Sequence, residues 1–492
     1  MVVETGFTHI LKRTREEGEE PFDRSRIEKA LMKTSIEVGG FKRHILPEHA
    51  LGRNVMLDFR ERTEEEILHS ITDKVITTVN SKNTLPLDVN ALAVYPNEHY
   101  RPTQENIQDI ILNVQYDNGF DAPGDAYLFF RSLRGLIRKG ELTEQHMLFH
   151  GFPSEQTFND TRDLYKQSGA DSIASINEML RQGKPFIQLI QDFTEFYDWQ
   201  LDQAAEAFKA KKDVKAIIIT GKSSSGKTTT THRFCYDRLG KLGLRMVPIS
   251  VDNYFKPNSP KDPHGDMNYE LPESLDLNLI RDHFARLASG EKIEMPKYLF
   301  GEDKRIDHSG KFVQLEKEDI VVIDSHYGLF PNIRNMFNPE NVFIIYLEPL
   351  NMIKEEEDRN IHMSRYNMLR RWLRDKRTRG AKFEYNIPHW KTVRIGELRD
   401  IVPRMKLSDC VINSGFPFEL NYMAAAFTGD NELPDPSVFL QKGRLYGAIK
   451  AWQAKNLLSK MVPVPKDYFD PKILPDYSIL REFVGGSKYD TK

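Results

Sequence analysis

Eight residues, Gly221-Lys222-Ser223-Ser224-Ser225-Gly226-Lys227-Thr228, fit the pattern G-x-x-x-x-G-K-[ST]. They follow the apolar run Ala216-Ile217-Ile218-Ile219-Thr220 and lead into a helical stretch, TTTTHRFCYDRLGKLG. Glycines at these points let backbone N–H groups turn toward phosphate oxygens, and a helix start adds a favourable dipole. Lys227 is placed to reach the β- and γ-phosphates, and the Thr228 hydroxyl to ligate Mg²⁺. Ser223, Ser224, Ser225 and Thr229 complete the expected ATP contacts. With both flanks in place, the pattern predicts a nucleoside triphosphate site.

A phosphate loop alone does not name a reaction. The run Met246–Val251 ends in Asp252-Asn253-Tyr254-Phe255. A carboxylate at the carboxyl end of a parallel strand lies in the crevice where ligands bind. There Asp252 can take a proton from a hydroxyl whose oxygen attacks the γ-phosphate. Ile320-Val321-Val322-Ile323-Asp324 is a second apolar run ending in a carboxylate, the arrangement that supports Mg²⁺. The basic run 370–380, RRWLRDKRTRG, places Arg371, Arg374 and Thr378 on one helical face, with Gly380 as a stop. Mobile cations of this kind close over a transferring phosphoryl group.

These residues need elements to hold them. From Val214 to about Ser414 short β-branched runs alternate with helical stretches, which predicts a parallel sheet covered by helices on both faces. Residues 1–140 read as a mostly helical domain. It opens with a short strand, THILKR, and continues into a helix capped by Asp23 and stopped by Gly39-Gly40, with further amphipathic helices over 64–80 and 104–138. Residues 141–212 read as a helical spacer, with FIQLIQDFTEFYDWQLDQAAEAFKA as one long helix. Residues 213–430 form the α/β domain, and 431–492 a proline-rich extension packed on it with a helix near 438–458.

The chain has 492 residues, 39% hydrophobic and 29% charged, ample for packed cores. Lys plus Arg number 69 against 72 Asp plus Glu, a net charge of −3, which argues against a nucleic-acid coat or a polybasic membrane binder. No run approaches a membrane span, and the first residues do not read as a signal peptide. The 14 histidines show no paired metal spacing. The two cysteines, Cys235 and Cys410, lie far apart, which fits a reducing compartment, so the expected location is the cytoplasm.

Taken together, residues 213–430 resemble the uridine kinase/phosphoribulokinase family of P-loop kinases. The resemblance rests on ITGKSSSGKTTTTHRF, ISVDNYF, DMNYELPESLDLNLI, GEKIEMPKYLF and LRRWLRDKRTRG. It is closer still to long multidomain members, through SSSGKT, HWKTVRIGE and the tail LPDYSILREFVGGS. The resemblance implies Asp252 as catalytic base, Arg371 as a contact to the acceptor's reacting end, and Arg374 and Arg379 as ATP-phosphate clamps. It further implies Tyr254, Glu270 and Tyr298 at the acceptor. The chain departs from the family at three points. Asp324-Ser325 replaces a Glu-Gly pair, Asp303 replaces a histidine that reads the uracil ring, and Glu270-Leu271-Pro272 replaces an acidic-His-Pro sequence. Uridine is therefore not the expected acceptor.

The N-terminal zone resembles an ATP-cone, a regulatory nucleotide-binding module, through LKRTREEGEEPFDRSRIEKAL and IQDIILNVQYDNGFDAPGDAYLFFRSLR. That resemblance implies Lys12 and Arg13 as phosphate contacts and assembly into a homo-oligomer through this domain. The expected function is ATP- and Mg²⁺-dependent transfer of the γ-phosphate to a hydroxyl of a small metabolite (nucleoside, sugar phosphate or phosphoglycerate-like). Regulation by nucleotide at the N-terminal domain is expected, with no nucleic-acid or membrane partner. Two other readings compete: a nucleotide-sensing regulator with weak or no kinase activity, and an interaction scaffold assembled through the N-terminal domain.

Overall fold

A computed structural model of the chain describes residues 9–11, 18–42, 45, 57–80, 103–143, 154–257, 259–261, 268–300, 302–356 and 359–489. These divide into two compact units. The first comprises Met1–Gly135, Pro260–Asn268 and Asp435–Trp452, and the second Leu136–Ser259, Tyr269–Pro434 and Gln453–Lys492.

In the first unit, strands His9–Leu11 and Glu19–Pro21 pair antiparallel. Helix Arg24–Glu37 follows, and Asp23 caps it by accepting the Ser25 N–H at 2.9 Å. The chain leaves that helix through Gly39 and Gly40, both at positive φ, with the Gly40 N–H returning to the Ser35 carbonyl at 2.7 Å. Helices Glu64–Asn80 and Gln104–Asp117 bury Ile67, Ile71, Val75 and Ile110 at helical spacing, which is what the sequence pattern requires. The stretch 104–138 is two helices rather than one, because Gly119 at φ 81 turns the chain before Asp121–Arg138. Lys12 and Arg13 lie outside the described residues.

The second unit is an α/β P-loop fold. Five parallel strands run in the spatial order Cys410–Asn413, Val342–Glu348, Ala216–Gly221, Ile320–Asp324, Met246–Ser250. All six residues of Ala216–Gly221 and all seven of Val342–Glu348 are buried, so helices cover both faces. Helix Lys184–Ala210 is continuous over 27 residues, and its Gln200 pairs with the backbone of Asn413, accepting its N–H at 2.8 Å and donating to its carbonyl at 3.2 Å. That side chain satisfies the edge strand, which would otherwise present open backbone groups. Register sets Asp324 level with Ile219 on one side and Ser250 on the other. Three strand ends, those leading to Gly221, Asp252 and Asp324, thus open on one crevice. Among the described residues, no helix is long and apolar enough to cross a membrane.

Candidate active site

The phosphate loop leaves its strand at Gly221 (φ 146) and enters the helix through Gly226 (φ 90), with Ser224 also left-handed at φ 57. The helix expected from the sequence is short. Lys227–Thr231 is α-helical, a π turn follows over His232–Tyr236, and a 3₁₀ turn over Leu239–Leu242. The threonine run holds the first turn, and the chain then widens into the π turn where Phe234 and Cys235 sit in the core. Buried side chains hold the loop from behind. Lys222 pairs with Glu348, the Ser223 N–H donates to Glu397 at 3.2 Å, and Asn367 donates to the Ser223 carbonyl at 2.9 Å. Lys227 Nζ donates to the carbonyls of Lys222 (2.8 Å) and Gly221 (3.3 Å), and burial lowers its pKa. The hydroxyls of Ser224 and Ser225 are buried with no hydrogen-bond partner among the described residues, poised for a ligand's oxygens.

Thr228 Oγ1 donates to Asp324 Oδ2 at 3.1 Å, which joins the two residues expected at Mg²⁺. Burial pushes the Asp324 carboxyl up to about 6, against the pull of Lys227. A divalent cation there would hold the ionised form. Two hard oxygens fit Mg²⁺, which takes few protein ligands and completes its shell with phosphate oxygens and water. Asp252 lies on the 3₁₀ turn Val251–Tyr254 that ends its strand, and it lines the same cavity of about 510 Å³ as Ser223–Thr228 and Asp324. Its charge is felt by Lys227, Asp324, His326 and Arg379, so it faces the reacting end of the loop.

Helix Ser364–Arg379 carries the basic run and ends at Gly380 (φ 62). Three of its arginines, Arg371, Arg374 and Arg379, do not reach out independently. Asp375, almost fully buried, takes Arg374 at 2.8 Å, Arg371 at 3.3 Å and Arg379 at 3.6 Å. Burial opposes ionisation of Asp375, and the three guanidiniums outweigh it, holding the carboxyl well below the usual carboxylate range. Arg371 also donates to Ser223 Oγ at 2.7 Å and to Glu270 at 3.2 Å, linking the loop to the acceptor side. Glu270 is buried, yet Arg371, His326 and His389 hold its pKa below the ordinary value. Gly396 makes this approach possible, since a Cβ there would lie 2.9 Å from the Glu270 Cβ and carbonyl oxygen.

Glu270 and Arg371 line the cavity as expected. Tyr254 and Tyr298 do not. Tyr254 is fully buried with its hydroxyl on His283 Nδ1 at 3.0 Å, because the turn after its strand directs the ring into the core. The Tyr298 ring packs against Phe255, Tyr269 and Phe300, and those three line the cavity in its place. Asp303, at φ 46, accepts the Tyr269 hydroxyl.

The sequence places Asp375 within the pattern R-x-x-R-D-x-x-x-R-G but assigns no role to it, to His326 or to Glu482. His326 follows Asp324-Ser325; its Nε2 is buried without a hydrogen-bond partner among the described residues, and burial lowers its pKa, against the pull of Glu270 and Asp252. Only its position two residues after the strand-end carboxylate signalled it. Asp375 and Glu482 were visible as letters of a basic run and of the tail, but no spacing rule announces what they hold. Glu482, on the tail helix Ile479–Val484, accepts the Thr229 hydroxyl at 2.9 Å and the Thr229 N–H at 3.3 Å.

Residues 216–417 match the family described as Phosphoribulokinase / Uridine kinase. A uridine kinase of Borrelia turicatae is 29% identical over 205 residues, covering 41% of this chain and 87% of the relative. One from Pasteurella multocida is 28% identical over 207 residues, covering 40% and 85%. A solved structure described as a possible uridine kinase from Bacillus stearothermophilus aligns over 44% of this chain and all of its own, at 17% identity and a TM-score of 0.31.

Proposed function

For a chain that is a phosphoribulokinase/uridine kinase-like P-loop kinase, a phosphotransferase acting on a hydroxyl of a small molecule, we propose the following reaction. ATP is the donor, and its phosphates lie on Ser223–Thr229. Thr228 and Asp324 hold Mg²⁺, which neutralises charge on the β- and γ-phosphates when bound. Asp252 takes the proton of the acceptor hydroxyl as that oxygen bonds to the γ-phosphorus, and the bond to the β–γ bridging oxygen breaks to release ADP. Arg371 meets the acceptor's reacting end, with Glu270 fixing its direction. Arg374 and Arg379 turn toward the phosphates from their shared carboxylate.

The observation that carries this reading is the meeting of Thr228, Asp324, Asp252 and the three arginines in one cavity. The acceptor is a small polar metabolite other than uridine, and the enzyme works in the cytoplasm. The chain is organised as a regulatory domain (1–140), spacer (141–212), kinase (213–430) and extension (431–492). Lys12 and Arg13 hold a second, regulatory nucleotide that changes assembly of the chain. Screening a metabolite library for ADP release, with the mass of the phosphorylated product, tests the reaction; no acceptor-dependent ADP from any hydroxyl compound overturns it. Calorimetry with ATP on the full chain tests the second site. Two sites falling to one in the Lys12→Ala/Arg13→Ala variant support it, and one site in the unaltered chain removes it.

A further inference from the structure

The tail helix Ile479–Val484 lies against the loop that the kinase reading assigns to phosphate. An added Cβ at Gly226 would come within 2.6 Å of Ile479 Cγ2, so the side chain seats directly on the loop glycine. Phe483 carries the Arg370 guanidinium 4.8 Å over its ring, and Arg377 donates to the Glu482 carbonyl at 2.6 Å. Those contacts fix where the Glu482 side chain goes. Its carboxylate enters the cavity and takes both the N–H and the hydroxyl of Thr229. Thr229 is the third residue of its helix, and the first backbone bond of that helix is Thr230 N–H to the Gly226 carbonyl at 3.0 Å. The Thr229 N–H therefore has no intrahelical acceptor, and it belongs to the set of donors a phosphate loop offers its ligand.

A carboxylate and a phosphate oxygen are both anions and cannot share one donor at hydrogen-bond distance without strong repulsion. We propose that Glu482 is a built-in competitor for the phosphate subsite at Thr229, so that ATP binds only to molecules in which this carboxylate has been displaced. The inference rests on the ATP reading of the loop. Apparent affinity then falls by the fraction of molecules whose subsite is open. The same tail helix also touches helix Ser364–Arg379 through Arg370 and Arg377.

Glu482→Gln keeps the side-chain shape and removes its charge. Calorimetry on the full chain should show ATP and inorganic tripolyphosphate binding about ten-fold tighter to this variant than to the unaltered chain. Adenosine, which brings no phosphate, should bind both equally. Unchanged or weaker ATP binding in Glu482→Gln overturns the inference, making the carboxylate a support of the loop. Equal tightening for adenosine overturns it too, since that reports a loosened tail rather than a vacated phosphate subsite. A thermal melt matching the unaltered chain shows that the comparison is between folded proteins, and Glu482→Ala should repeat the gain if the melt differs. Failure of both proteins to bind ATP and tripolyphosphate removes the donor assignment itself, an outcome distinct from equal binding to both.

Discussion

Thr228 and Asp324, 96 residues apart in sequence, meet at 3.1 Å across the carboxyl ends of two neighbouring strands. The contact joins a hydroxyl from the loop to a carboxylate that burial makes reluctant to ionise. Its pKa rises from 3.8 to about 6, so the folded chain holds this proton more tightly than the unfolded one. Stability from this group is present below 3.8 and is lost as pH rises through about 6, on the order of 3 kcal/mol. Thermal melts in Mg²⁺-free buffer should fall over that interval, and Asp324→Asn should flatten the fall. Mg²⁺-dependent ATP binding should strengthen across the same interval. Identical pH profiles for the two proteins would detach the shift from Asp324.

Lys227→Ala should abolish most ATP turnover by removing the cation that follows the transferring group. Thr228→Ala should weaken nucleotide binding in Mg²⁺ more than in chelator. Steady-state ADP release and calorimetry check both, and wild-type turnover in Lys227→Ala would displace the active site from this loop.

Asp252→Asn should lower acceptor-dependent turnover by about 10²–10⁴-fold, the usual reach of a general base, with ATP affinity little changed. A parallel loss of ATP binding would make Asp252 a structural or metal group instead.

Asp375 is the electrostatic anchor of the arginines on helix Ser364–Arg379. Its depressed pKa means that its stabilisation is present above the ordinary 3.8 and is lost as pH falls below it. Asp375→Asn leaves Arg371, Arg374 and Arg379 facing one another without their carboxylate and should cost about 3–5 kcal/mol in denaturant unfolding. A change below about 1 kcal/mol would reduce the cluster to an exposed ion pair.

Uridine should be a poor acceptor. The position expected to read a uracil ring is Asp303, and its carboxylate is engaged by the Tyr269 hydroxyl. Sites without their hydrogen-bond partners lose selectivity by as much as roughly 10⁴–10⁵. Saturable phosphorylation of uridine at micromolar concentration would refute this.

Much of the site was legible because its chemistry is local. The loop, Asp252 and Asp324 each announce themselves at the end of a short apolar run, and the parallel sheet brings such ends together. What escaped was long-range or directional. Nothing in the spacing of RRWLRDKRTRG says that one aspartate gathers three arginines, and nothing near Tyr254 says that its ring turns to His283. The π turn at His232–Tyr236 was hidden for a similar reason: the threonine run reads as helix, and core packing of Phe234 and Cys235 decides the winding. Glu482 lies 253 residues from its partner Thr229, a distance over which no periodicity speaks.

That separation also has a meaning in time. During synthesis at about 5–20 residues per second, the nucleotide loop emerges roughly 10–50 s before the segment that seats on Gly226. The sheet that holds the loop is complete only after Cys410–Asn413 has been made, so in the last part of that interval the newborn core carries a loop on which Glu482 is not yet seated. On the proposal that Glu482 competes for the phosphate subsite, the order of translation places an unrestrained loop before a restrained one.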